Sequence, residues 1–171
     1  MMNANAITAL ADYNNYCNGV VLNVAAQLSE AEFSNTPSPS RESIKILLRH
    51  LLVVEAAYTA RCRGDPFSFD SASHETFAEI QRFGMQTAND LKRLVAALTE
   101  DDLAREVQAP FGDQSLHFPL WQMLLHTFMH SARHRGELSI ILSQLGHPLP
   151  IQDLIVQFTE ASGQTWHFER T

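Results

Sequence analysis

Apolar residues recur at three- and four-residue steps over four long stretches of the chain, and each stretch predicts an amphipathic helix with its stripe turned to a common core. The first stripe is Ile7, Leu10, Asn14, Cys17, Val21, Val24 and Leu28, which predicts a helix running to about Leu28. The breaker-rich segment from Ser34 to Ser40 predicts a loop, with Ser40 as N-cap of the next helix. That helix carries Leu47, His50, Val54 and Ala57 and stops near Gly64-Asp65-Pro66. Ser73 is the expected cap of a third helix with the stripe Phe77, Ile80, Gly84, Thr87, Leu91, Leu94 and Leu98. The segment from Val107 to Phe118 predicts a small irregular hairpin with its turn at Gly112-Asp113. Pro119 suits the first position of a fourth long helix, which reaches Leu145 and is closed by Gly146-His147-Pro148. A short helix from Ile151 to about Ala161 follows, with Gly163 as its stop.

These elements define an all-α fold: a four-helix bundle with a small hairpin before the last long helix and a short C-terminal helix, expected as one domain over residues 1–171. The helices should run up and down in sequence order unless one longer crossover rearranges them. At 171 residues the chain can bury a sufficient core without disulfides or a structural metal. A formal charge of −7, from 12 Lys+Arg against 19 Asp+Glu, repels phosphate backbones and anionic lipid, so neither nucleic acid nor membrane is an expected partner. No run approaches the ~18 consecutive apolar residues of a membrane span. Nothing at the N-terminus has the pattern of a signal peptide, and Cys17 and Cys62 fall within helices; a cytoplasmic protein with reduced thiols is the expectation.

The chemistry concentrates in His126-Thr-Phe-Met-His130-Ser-Ala-Arg-His134-Arg135-Gly136-Glu137, where three histidines recur every fourth residue. Helix residues four apart are surface neighbours, so an adjacent pair can converge on one divalent ion. His126 and His134 are separated by a rise of about 12 Å at 1.5 Å per residue, too far for both to serve one site. His130 and His134 lie on the inward stripe with Leu120, Met123, Thr127, Leu138, Ile141 and Leu145, whereas His126 falls one position off it. Buried imidazoles need partners for their ring nitrogens, and a shared metal supplies them. His50 sits on the inward stripe of the second helix between Leu47 and Val54 and is the expected third ligand. Three neutral imidazoles suit Zn²⁺ or Ni²⁺ foremost, and also Fe²⁺ or Co²⁺, and leave a position open. Glu55 and Glu137 are candidates to hold the ligands from behind. Asn14, Tyr16 and Tyr58 are candidates to line a pocket, and His126 to shuttle a proton. His74, His117, His147 and His167 are read as ordinary surface or packing groups, and Arg135 as an ion-pair partner on the helix surface.

The run from His126 to Glu137, followed by Leu145-Gly146-x-Pro148, resembles the signature helix of the DinB/YfiT-like superfamily. Asp12-Tyr13-Asn14 and Ile46-Leu47-Leu48-Arg49-His50 with Glu55 extend the similarity over most of the chain. The resemblance implies a four-helix bundle, often a homodimer, whose three-histidine metal site maps onto His50, His130 and His134. It also implies kinship with enzymes that use low-molecular-weight thiols, such as bacillithiol S-transferases and mycothiol-dependent maleylpyruvate isomerases. The family pattern has Gln where this chain has Glu137, a change that alters local charge and that could pair Glu137 with Arg135.

The expected function is that of a divalent-metal-binding protein acting on a small-molecule substrate, leaning to a metal-dependent transferase or hydrolase. The alternative is a non-enzymatic metal-binding or stress-response module whose ion braces the bundle.

Overall fold

The computed structural model describes residues 2–111 and 113–165. Gly112 of the expected turn and His167 lie outside the described residues. Among the described residues, seven α-helices and one hairpin follow in order: α1 (Ala4–Ala25), α2 (Glu30–Asn35), α3 (Ile44–Arg63), α4 (Phe77–Ala96), α5 (Glu100–Ala104), β1 (Glu106–Phe111), β2 (Gln114–Pro119), α6 (Leu120–Gln144) and α7 (Leu154–Ala161). The all-α expectation holds, with α1, α3, α4 and α6 as the four long helices of the bundle.

Several boundaries differ from the sequence expectation, and capping explains most of them. α1 stops at Ala25 rather than near Leu28, because Gln27 and Leu28 donate to carbonyls only three residues back and tighten the chain into a turn. That turn delivers Ser29 as N-cap of the unanticipated α2, where Ser29 and Glu32 form a reciprocal capping box. Ser43, not Ser40, caps α3 by accepting from the Ile46 amide. Thr76, not Ser73, caps α4 in a box with Glu79; Ser73 ends a single 3-10 turn instead. α4 closes at Ala96 rather than Leu98, and Thr99 and Asp102 box the short α5. Pro119 is the last residue of β2 and stands just before α6, one position earlier than expected. α7 starts at Leu154 rather than Ile151. Gly64 and Gly146 take φ values of 83° and 85°, the left-handed conformation that ends α3 and follows α6.

Around the bundle, α1 packs on α4 and α6, and α3 packs on the same two, so α1 and α3 face each other across the diagonal. The connection through α2 therefore crosses the bundle, and so does the longer connection through α5 and the hairpin, because α4 and α6 are not neighbours either. α3 and α6 run antiparallel: His50 meets His130 at a ring separation of 5.1 Å, and eight residues on, Tyr58 meets His126 at 5.0 Å.

The apolar core comes in two parts along the bundle axis. One part gathers Ile7, Leu91, Leu103, Leu120, Leu124 and Phe128; the other gathers Val21, Leu47, Leu51, Ile80, Leu138 and Leu142. Between them lies a buried polar layer comprising Asn14, Asn18, Glu55, Thr59, Thr87, Ser131 and Arg135. Gly84 on α4 fits closely at the edge of this layer, where an added Cβ would stand 2.9 Å from Leu22 and 3.2 Å from Leu52. The antiparallel β1–β2 ladder pairs Glu106 with Pro119 and Phe111 with Gln114, and it leans on α3 and α6.

Candidate metal centre

His50 on α3 and His130 and His134 on α6 converge, with one potential ligand nitrogen from each lying within 4.8 Å of the others. The ring centroids are 5.1 Å apart for His50 and His130, 5.0 Å for His50 and His134, and 4.5 Å for His130 and His134. The 3.6-residue repeat places His130 and His134 one above the other on α6, and the antiparallel packing of α3 brings His50 opposite them. His126 stays one turn away, its ring 6.1 Å from His130 and outside the cluster.

The ring nitrogens His130 Nδ1 and His134 Nδ1 are buried and make no hydrogen bond. A buried nitrogen without a partner is costly, and a divalent ion is the partner that would satisfy several such atoms at once. The imidazoles are also held in the form that metals need. Burial, then the charges of Arg41 and His134, pushes His50 down to about 4. Burial and the neighbouring histidines push His130 to about 4 as well. Burial lowers His134 too, against the opposing pull of Glu137. At neutral pH all three are thus uncharged donors. On donor type, convergence and orphaned nitrogens, the residues fit a divalent transition metal.

Glu137 stands behind His134, with its Oε2 3.5 Å from His134 Nδ1. Its carboxylate accepts from the Ser40 amide at 2.9 Å and from the Ser40 hydroxyl at 2.8 Å. Ser40, displaced from its expected capping role, therefore tethers the loop before α3 to α6 beside the cluster. Glu137 does not pair with Arg135, as the sequence reading had allowed.

Arg135 is not on the surface at all; it is 5% exposed. Its Nη1 donates to Asn14 Oδ1 and to Asn18 Oδ1, each at 2.7 Å. The two asparagines turn their amide N–H groups to Glu55 Oε2 at 2.7 and 2.9 Å, and Ser131 Oγ donates to the same oxygen at 3.0 Å. A buried cation and a buried carboxylate are thus joined through two amides across the bundle diagonal. Ser131 and Arg135 each follow a clustered histidine on α6, so this network fixes the rotation of α6 that aims His130 and His134. Glu55 and Asn14 accordingly support the helix that carries the ligands rather than touch an imidazole themselves. Asn18, Ser131 and Arg135 were not among the sequence candidates. The one signal for Asn18 and Ser131 was a polar residue beside an inward stripe, which surface positions share.

The remaining candidates divide. Tyr58 and His126 line a cleft of about 210 Å³ with Phe118, Gln122 and Met123. Tyr16 is half exposed and lies elsewhere, in a groove between α1 and the residues around α7 that Tyr13, Gln152 and Val156 also line. Cys17 and Cys62 are buried free thiols; burial raises the pKa of both, that of Cys62 to about 12, so neither offers a ready thiolate. Among the described residues no helix is long and apolar enough to cross a membrane.

A four-helix bundle with three imidazoles gathered between two antiparallel helices defines a class of metal-compatible helical proteins. Within it, the chain belongs to the DinB family, which it matches over residues 1–165. It is similar to the DinB-like protein YjoA of Bacillus subtilis, whose crystal structure shares the fold with a TM-score of 0.65 at 18% sequence identity, covering 84% of this chain and 97% of that one. No curated protein matches the chain.

Proposed function

We propose that this DinB-family protein binds one divalent transition metal through His50, His130 and His134 and uses it in a transfer or hydrolysis reaction on a small molecule. The observation that carries the reading is the convergence of three uncharged imidazoles, two of them with a buried ring nitrogen that makes no hydrogen bond. When bound, such an ion supplies Lewis acidity, lowering the pKa of a thiol or water that reaches it. Three protein ligands leave room for that group, which favours an enzyme over a closed structural site. Zn²⁺ and Ni²⁺ suit the donor set best, and a low-molecular-weight thiol is the proposed co-substrate. Glu137 orients His134, and the Arg135–Asn14–Asn18–Glu55 network keeps α6 in register. His126, exposed one turn from His130, is placed to take or give a proton at the rim. A homodimer is part of the same proposal, checked by sedimentation.

Elemental analysis of protein purified without chelator, joined to zinc titration, tests the centre. One equivalent of metal is expected in the native chain, with large losses in His50→Ala, His130→Ala and His134→Ala and little loss in His126→Ala. Equal metal content across all four variants would refute the assignment. A conjugation screen with bacillithiol, mycothiol and glutathione then tests the reaction class.

A further inference from the structure

The cleft beside the histidines has a composition that the metal alone does not require. Phe118 and Met123 give it an apolar floor, and Tyr58, Gln122 and His126 bring polar groups to its wall and rim. The Tyr58 and His126 rings stand 5.0 Å apart and 35° from parallel, with the Arg61 guanidinium 5.2 Å from the centre of the Tyr58 ring. Gln122 and His126 are exposed and Tyr58 is half-buried, so their polar groups are open to a ligand in the cleft. The volume of about 210 Å³ exceeds the ~150 Å³ of a cavity that holds benzene, so one substituted ring fits. The thioether of Met123 and the flanking rings favour an aromatic face over a saturated one.

We propose that this cleft binds a single aromatic ring carrying one hydrogen-bonding substituent, with Tyr58, Gln122 and His126 as the groups that recognise it. Resting on the metal reading above, the proposal makes this ring the part of the substrate held one turn along α6 from His130. The reactive end of such a molecule then reaches toward the three histidines while the ring is anchored on Phe118 and Met123.

The test is a phenol titration into chelator-treated protein, followed by ligand-observed NMR, so that no ion can mediate binding. Saturable binding of phenol is expected, with cyclohexanol, similar in size and hydroxyl but lacking the π face, a clearly poorer competitor. Gln122→Trp, at an exposed helical position that places an indole across the mouth, should abolish saturable binding while circular dichroism stays native. His126→Ala should weaken phenol by about fivefold, the scale of one lost ring contact, while leaving zinc binding intact. Phenol binding that survives Gln122→Trp, or equal competition by cyclohexanol, overturns the proposal. Zinc binding without phenol binding likewise overturns the cleft and spares the metal centre. Phenol binding without zinc binding supports the cleft and removes the metal centre.

Discussion

At the residue scale, the three clustered histidines are ordinary side chains made useful by what they lack. Burial, nearby guanidinium charges and the other imidazoles disfavour their protonation and outweigh the opposing Glu137 carboxylate, leaving nitrogens facing one another. Arg135 stands in the opposite situation, a buried cation whose hydrogen bonds to Asn14 and Asn18 lead on to Glu55. Removing one member of a buried charge pair strands the other. Arg135→Met should therefore lower unfolding free energy by about 3–5 kcal/mol in urea titration. The double variant Arg135→Met/Glu55→Leu should lose less than the sum of the single losses, because no unpaired charge is left behind. Additive losses would show that the two residues are not coupled. The histidines were legible because their period matches the helix. Arg135 was not, because a charged residue beside a stripe reads as surface until partners on two other helices are known.

At the element scale, short reciprocal caps set the boundaries. In all three boxes the carboxylate of Glu32, Glu79 or Asp102 accepts from both the hydroxyl and the amide of the cap residue, and those hydrogen bonds hold each pKa below its usual value. The sign follows directly: a depressed carboxylate contributes stability above its unfolded pKa, and that contribution is lost as pH falls through the folded value. Thr76→Ala should cost about 0.5–2 kcal/mol at neutral pH. The cost should shrink as pH falls through the lowered folded-state value of Glu79, and thermal melts in a series running from neutral into acid would measure it. A difference that does not change with pH would assign the effect to the hydroxyl alone. The stripes of α1, α3, α4 and α6 were legible because burial repeats with the helical period. The caps of α3 and α4 were misplaced by three residues because Ser40 and Ser43, or Ser73 and Thr76, are chemically equivalent caps. Only tertiary contacts, such as Ser40 on Glu137, decide between them. α2 and α5 span 6 and 5 residues, too short to print a period.

At the scale of the whole molecule, two apolar cores sandwich a polar layer, and the candidate metal centre lies beside that layer. Each core is built without help from an ion, so the metal-free protein should remain folded, and zinc should act as a ligand of the native state. Zinc at 100 times its dissociation constant should add about 2.7 kcal/mol, seen as a higher melting temperature that chelator reverses. Unfolding on chelation would mark the ion as structural instead. The four helices were legible, but the expected up-and-down order in sequence gives way to crossovers, since periodicity says which face is inward and nothing about which helix it meets.

The separation of α3 from α6 along the chain bears on how the centre is assembled in time. His130 and His134 are near neighbours in any conformation that forms the α6 helix, whereas His50 joins them only when the distant α3 has docked. A partly folded chain can therefore present two imidazoles but not three. Tight zinc capture during refolding should appear with the long-range docking of α3 on α6 rather than with helix formation, so the ion would serve as a stopwatch for the moment those two helices meet.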